Sequence, residues 1–221
     1  MARVLGIDEA GKGPVIGPLV ICGYSLDEKK EHKLRGLNVK DSKMLAPARR
    51  AFLEKKLKKI ADDFLVVKIP AQKIDVLRTN TNLNKIEIKH MQHIIDAMGN
   101  DKVIIDAIEA DISKFARKIT SKLKNKNINI IAENYADKNY PVVSAASILA
   151  KVERDRAIEK LHKIYGFFGT GYPSDERTIN FLKAYLEKNN RFPACVRKSW
   201  ITAQVIKKEK EQQTLLSFQG R

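Results

Sequence analysis

The chain reads as an α/β protein, a sheet layered with helices, followed by a small helical domain. Short apolar, β-branched runs alternate with amphipathic helical patterns over the first 165 or so residues, as a layered α/β domain requires. Glycines and prolines fall between the runs and mark their limits. After the loop "GTGYPSD", the last 45 or so residues carry helical patterns only.

The first strand is expected at "RVLGI", residues 3–7, stopped by the acids and glycines that follow. A second β-rich run, "VIGPLVICGY" at 15–24, makes the glycine segment between them a tight connection of paired strands. Pro47 suits a first helical position, and "ARRAFLEKKLKKIADD" continues with a stripe of Phe52, Leu53, Leu57 and Ile60. "FLVVKIP" at 64–70 is a strand ended by Pro70. A longer helix at 82–98 carries Leu83, Ile86, Met91, Ile94 and Ile95 and closes at Gly99. Val103 to Ile105 form a strand ending at Asp106, followed by a helix in "ISKFARKITSKLK" and a strand in "INIIAE". "SAASILAKVERDRAIEKLHKIYG" is a long helix ended by Gly166. Two more helices, "ERTINFLKAYLEKN" and "ITAQVIKKEKEQQ", complete the chain. The expected division is an α/β domain over 1–176 and a helical domain over 177–221.

At 221 residues and 43% hydrophobic content, the chain can bury a sizeable core. Apolar runs such as "VVSAASILA" fall far short of the ~20 residues of a membrane span, and no signal pattern opens the sequence. A cytoplasmic protein without a membrane partner is expected. Cys22 and Cys195 form no C-x-x-C pair, which argues against disulfides and zinc. His90 and His93 read as residues on or beside the exposed face of a helix. The formal net charge of +16 favours an anionic partner, and nucleic acid is the commonest. The excess is spread over several segments rather than gathered in one tail.

The stretch "GIDEAGKGPVIGP", residues 6–18, nearly spells the nucleotide-binding pattern G-x-x-x-x-G-K-[ST], with Gly13 in the last place. Three features oppose that reading. Asp8 and Glu9 would sit in the phosphate cradle, Gly13 lacks the hydroxyl that binds Mg²⁺, and Pro14, Gly17 and Pro18 oppose the helix such a loop must enter. The alternative is an acidic site. Asp8, Glu9, Asp106 and Asp137 are each expected where a buried strand ends, the edge at which open α/β sheets bind ligands. Taken singly, each is more often an ordinary turn acid. Together, carboxylates without Cys or His suit a hard cation, and two such ions can assist phosphodiester hydrolysis. Because neighbours on a strand point to opposite faces, Asp8 and Glu9 share a site only if the strand breaks at "AGKG".

"GIDEAGKGPVIGPLVI", "VKDSKML", "VIIDAIEAD", "ENYADKNYPVVSAASILAKVERD" and "GTGYPSD" together resemble, in order and spacing, the type 2 ribonucleases H, or ribonucleases HII, in an archaeal-like version. The resemblance spans roughly residues 3–180. It implies a ribonuclease H-like fold: a mixed five-stranded sheet flanked by helices, with a C-terminal helical domain. It implies hydrolysis of RNA in RNA/DNA hybrids and incision 5′ of ribonucleotides embedded in duplex DNA, leaving 3′-hydroxyl and 5′-phosphate ends, in ribonucleotide removal and RNA primer processing. The implied cofactors are two Mg²⁺ or Mn²⁺ ions on Asp8, Glu9, Asp106 and Asp137. The implied state is a monomer.

The same resemblance assigns Gly11, Lys12 and Gly13 to the ribonucleotide and its phosphate, with Lys12 where many relatives carry arginine. A lysine keeps the charge but loses the planar fork. Tyr172 is implied to pack on the sugar after the ribonucleotide. Lys43, Ser147 and Lys151 are further phosphate candidates, or equally surface and helix-packing residues. Glu109 and Asp111 read as acids starting the next helix. In the tail, "QQTLLSFQ" places Gln212, Leu215 and Phe218 at the Q-x-x-L-x-x-F spacing that resembles the sliding-clamp (PCNA) motif. One helical turn would set Leu215 and Phe218 on one side.

Overall fold

The computed structural model describes residues 3–37, 39 and 45–219, with side chains as far as residue 213. Strands β1 (Arg3–Ala10) and β2 (Leu19–Asp27) run antiparallel, and β3 (Asp63–Ile69) continues the sheet beyond β2. On the other side of β1, β4 (Lys102–Asp106) runs parallel to it and β5 (Asn129–Glu133) parallel to β4. The order β3-β2-β1-β4-β5 is the mixed five-stranded sheet expected. Parallel neighbours need crossovers, which the helices supply. They are α1 (Glu31–Gly36), α2 (Pro47–Ile60), α3 (Ala71–Arg78), α4 (Leu83–Met98), α5 (Ile112–Ser121), α6 (Ala136–Asn139), α7 (Pro141–Tyr165), α8 (Glu176–Asn189) and α9 (Ile201–Gln219).

Several elements differ from the sequence expectation. β1 runs past residue 7, because backbone pairing of Asp8 with Cys22 and Glu9 with Ile21 carries it on to Ala10. Residues 15–18 are not part of β2; Ile16 instead makes an isolated bridge to Val196. Helices α1, α3 and α6 were not foreseen: only Leu34 of α1, Ala71 and Ile74 of α3, and Ala136 and Asp137 of α6 are buried, too few to show as a stripe.

Contacts gather the chain into two compact units. The first holds Met1–Ala10, Val20–Lys68 and Thr81–Asp155, and the second holds Gly11–Leu19, Ile69–Asn80 and Arg156–Arg221. The expected boundary at 176 is a cut along the sequence. The second unit also takes in two segments from further upstream.

In the first unit, alternation puts Val4, Gly6, Asp8 and Ala10 on one face of β1. Val4 and Ala10 join a core with Cys22, Tyr24, Ile104, Leu53 and Leu57, and with Val142, Ala146 and Leu149 of α7. The helix approaches this closely because residue 6 has no side chain. A Cβ there would stand 2.4 Å from the Val142 carbonyl carbon and 2.5 Å from its oxygen, backbone atoms that cannot rotate away.

The second unit has its own core, including Val15, Ile16, Ile158, Phe168, Leu182 and Val196. The loop before α8 is held by two polar side chains. Asp175 caps α8 by accepting the Arg177 N–H at 3.1 Å, and accepts the Thr170 N–H at 2.8 Å and the Arg177 guanidinium through both oxygens at 2.9 Å. Thr178 Oγ1 accepts the Gly171 N–H at 3.0 Å and donates to the Phe168 carbonyl at 2.9 Å. Gly169, at φ 79°, must remain glycine, since a Cβ would meet an Asp175 oxygen at 2.5 Å.

Two outcomes follow from this packing. Gly6→Ala should lose roughly 3 kcal/mol or more in urea unfolding, since the added methyl overpacks against backbone. Gly36→Ala, where nothing lies within 4 Å of an added Cβ, is the control and should stay within ~1 kcal/mol of wild type. Asp175 titrates below its ordinary 3.8, first because of the Arg177 hydrogen bond and then the Thr170 amide. A carboxyl held low when folded adds stability above its unfolded value and loses it as pH falls through the folded one. The melting-temperature deficit of Asp175→Asn should therefore be full at neutral pH and shrink below pH 3.8. A pH-independent deficit would contradict that role.

Candidate metal and nucleic-acid site

The register of β1 on β4 decides where two of the acids stand. It pairs Gly6 with Ile104 and Ile7 with Ile105. One step further along both parallel strands come Asp8 and Asp106. Their backbones are neighbours at the usual strand spacing of about 4.8 Å, and both side chains leave on one face. That face carries Val4, Ile104 and helix α7.

Asp8 is nearly buried, and its Oδ1 accepts the Glu9 N–H at 2.7 Å. Two residues along from Gly6 on the same face, it meets α7 again. Ser147 hydrogen-bonds its carboxyl, and the Lys151 charge acts on it. Lys151, one turn after Ser147, donates its ammonium to the Ser147 hydroxyl. The Asp8 carboxyl is pushed up to about 8, foremost by burial and next by the Glu9 charge, against the opposing pull of Lys151, Ser147 and the Glu9 N–H. Ser147, expected at a phosphate, is thus fully buried with its hydroxyl on Asp8 and Lys151. The strand does not break at Asp8 and Glu9, so the two side chains leave it on opposite faces.

Asp106 is the last residue of β4. Its Oδ1 accepts the Ala136 N–H at 3.0 Å, a bond made possible by the turn at Tyr135, whose φ is 62°. Asp137 follows Ala136 in the short helix α6, fully buried, and its carbonyl accepts from the Ser144 hydroxyl. Asp137 therefore lies beyond the end of β5 rather than at it, linked to Asp106 through its neighbour's amide. Asp106, Ala107, Glu109, Asn134 and Tyr135 line a cleft. Glu109 is held by Lys118 at 2.6 and 2.8 Å, and Asp111 caps α5 by accepting the Lys114 N–H at 2.8 Å.

The residues present fit a hard divalent cation. Their donors are carboxylate oxygens, and Cys22, opposite Asp8 in the ladder, is kept as a thiol by burial, which raises it. Among the described residues, no group of three or more His, Cys, Asp or Glu is already arranged to hold a metal ion. The fit is therefore one of charge and donor type. The Asp8 carboxyl is raised chiefly because burial disfavours its charged form, and next because the Glu9 charge acts on it.

In the second unit, Gly11, Lys12 and Gly13 begin the connection into β2. Gly11 adopts φ 85°, and the Tyr172 ring lies over Gly13, where an added Cβ would stand 3.5 Å from a ring carbon. Tyr172 is placed there by its neighbour Gly171, whose carbonyl accepts the Val15 and Ile16 N–H groups at 2.9 and 3.2 Å. The connection enters a strand, not a helix, which excludes a nucleotide-binding loop. Arg197 also joins this loop. Its only sequence signal is a charge beside Cys195 and Val196, in a segment that otherwise reads as core, and it is fully buried.

Gln212 is exposed on α9. The side chains of Leu215 and Phe218 lie outside the described residues, as does Lys43 altogether. His90 is half-buried and His93 exposed on α4. Among the described residues no helix is long and apolar enough to cross a membrane.

Comparison with known proteins agrees with this geometry. Residues 5–203 match the family described as ribonuclease HII. The ribonuclease HII of Pyrococcus furiosus is 45% identical over 222 residues, covering 98% of each chain. The crystal structure of the ribonuclease H2 from Pyrococcus horikoshii superposes with a TM-score of 0.89 at 43% identity, covering 94% of this chain and 98% of that one. The ribonuclease HII in a PCNA complex from Archaeoglobus fulgidus gives a TM-score of 0.83 at 38% identity, over 90% and 95% of the two chains. With the mixed sheet and the paired acids on β1 and β4, these likenesses show that the chain belongs to the ribonuclease HII family and is a ribonuclease H enzyme.

Proposed function

We propose that the enzyme hydrolyses the RNA strand of RNA/DNA hybrids and incises duplex DNA 5′ of an embedded ribonucleotide. It leaves 3′-hydroxyl and 5′-phosphate ends and serves ribonucleotide removal and RNA primer processing. The observation that carries this reading is the β1–β4 register, which sets Asp8 and Asp106 side by side on the α7 face. Asp8, Asp106 and Asp137 would hold two Mg²⁺ or Mn²⁺ ions, and Glu9, leaving β1 on the other face, would join them around the end of the strand, where its charge already acts on the Asp8 carboxyl. Such ions supply a nucleophile from water at neutral pH and charge to balance the leaving oxygen. The chain's own groups do the rest. Ser147 and Lys151 hold the Asp8 carboxyl from α7. Gly11, Lys12 and Gly13 contact the ribonucleotide and its phosphate, and Tyr172 packs on the next sugar. Lys43 and Lys151 add positive charge toward the phosphates, and the net charge of +16 draws the nucleic acid in.

The tail is proposed to bind a sliding clamp through Gln212, Leu215 and Phe218. Their spacing supports this, as does the 38% identical Archaeoglobus fulgidus protein solved with PCNA.

On a DNA duplex with one ribonucleotide, Asp106→Asn should lower the nicking rate in Mg²⁺ by about 10³-fold or more while leaving the fold intact. EDTA should abolish wild-type nicking. Failure of the wild type to nick this duplex in either Mg²⁺ or Mn²⁺ overturns the assignment. Deleting residues 212–221 should weaken clamp binding by roughly tenfold or more, and nicking of short duplexes should stay within about twofold. Unchanged clamp affinity would remove the tail from the proposal.

A further inference from the structure

The buried Arg197 has no task in the function just described, although a guanidinium is costly to bury and this one is fully enclosed. It is spent on the backbone of one loop. Nη2 donates to the Gly11 carbonyl at 2.6 Å, Nη1 to the Lys12 carbonyl at 3.0 Å and Nε to the Gly17 carbonyl at 2.9 Å. Trp200 continues the series, its indole N–H donating to the Gly13 carbonyl at 3.1 Å. Three consecutive carbonyls, of residues 11, 12 and 13, are thereby drawn to one side.

The two donors are themselves held firmly. The Arg197 backbone N–H bonds to the Val15 carbonyl at 2.8 Å. The Trp200 ring has the Arg197 guanidinium 4.7 Å from its centroid, and Arg78 of α3 at the same distance. Asp75, also on α3, accepts the N–H groups of Lys198 and Ser199 at 2.8 and 3.0 Å and the Ser199 hydroxyl at 2.7 Å. The segment between Arg197 and Trp200 is therefore anchored through its own backbone.

What this does to the loop follows from the peptide group. A trans peptide is planar, and its N–H points opposite to its C=O. The Gly11 carbonyl shares a peptide with the Lys12 N–H, and the Lys12 carbonyl shares one with the Gly13 N–H. With both oxygens on Arg197, both N–H groups point away from it. Gly13 is exposed, and the Tyr172 ring lies over it. A cation on the carbonyl oxygen also polarises the whole peptide, which makes its N–H a stronger donor. Two successive outward N–H groups form a concave site for an anionic or hydroxyl oxygen.

We propose that Arg197 and Trp200 are positioning residues for ribonucleotide recognition: from behind the loop Arg197 turns the Lys12 and Gly13 N–H groups toward the oxygens of the ribose and its phosphate, and Trp200 fixes the Gly13 carbonyl, whose peptide carries no N–H because Pro14 follows. This rests on the reading that Gly11–Gly13 contacts the ribonucleotide. A lysine at 197 would keep the charge but could not span three carbonyls, because it lacks the planar fork.

The test compares Arg197→Lys, Trp200→Phe and Gly13→Ala with wild type. Folding is checked by circular dichroism. Affinity is measured with Ca²⁺ in place of Mg²⁺, on an all-DNA duplex and on the same duplex with one ribonucleotide. Trp200→Phe keeps the ring and loses only the donor, so it stays informative if Arg197→Lys fails to fold. Both variants should weaken ribonucleotide-duplex binding by about tenfold and all-DNA binding by less than about twofold, as expected when polar groups that recognise a hydroxyl are misaimed. In steady-state nicking the loss should fall on KM, with kcat within about twofold. The Lys12 and Gly13 amide proton resonances of the free protein should move upfield in Arg197→Lys, which loosens the guanidinium's hold on the Gly11 and Lys12 carbonyls. If Gly13→Ala abolishes ribonucleotide preference and the folded 197 and 200 variants retain it, the positioning role is wrong and the loop reading stands. If Gly13→Ala also retains it, the loop reading fails and takes the positioning role with it.

Discussion

The first unit depends on one close approach, α7 lying against β1 over Gly6. With a side chain at residue 6, the helix backbone at Val142 would have to move, since a Cβ would overlap three of its backbone atoms. Everything placed by α7 would move with it. Ser147 and Lys151 reach Asp8 because Asp8 is two residues from Gly6 on the same strand face, and they are the next points of contact along the helix. Ser144, on the same helix, accordingly lies at the Asp137 carbonyl. A single missing side chain therefore sets the distance from which a helix can organise carboxylates on a sheet.

The two units use charge in opposite ways. In the first, carboxylates are gathered in a protein whose net charge is +16. Burial and mutual repulsion raise the Asp8 carboxyl to about 8, although Lys151 and Ser147 oppose the rise. Burial of the carboxyl outweighs the Lys151 charge and the Ser147 hydroxyl there, and carboxylate oxygens are the donors a hard divalent cation takes. In the second unit the buried group is a cation, and its partners are carbonyl dipoles of the loop it holds. Buried carboxyls mark one place, and in the other a buried positive charge orients backbone.

Much of this was legible along the chain. Alternating β and helical periodicities, with Pro47 opening one helix and Gly99 closing another, placed most of the sheet and its helices, because those signals come from neighbours three or four residues apart. The proline and glycine neighbours of Lys12 were enough to reject a strand-to-helix phosphate loop. Helix α3 went unseen because only two of its residues are buried. The length of β1 was misjudged because acids normally end a strand, whereas here Cys22 and Ile21 on the partner supply the ladder.

By itself the sequence determined which residue types are present and how they recur: four acids with no zinc-like companions, a glycine-lysine-glycine turn, and short apolar runs alternating with helical patterns. Those are local properties of composition and periodicity. Only the tertiary structure decided that Asp8 and Asp106 share a face, since that depends on the register between strands almost a hundred residues apart in the chain. It also decided that Ser147 belongs to Asp8, and that Arg197 holds a loop 186 residues away from it in sequence. Hydrogen bonds across such separations leave no periodic trace, and a buried arginine has the same one-letter code as an exposed one.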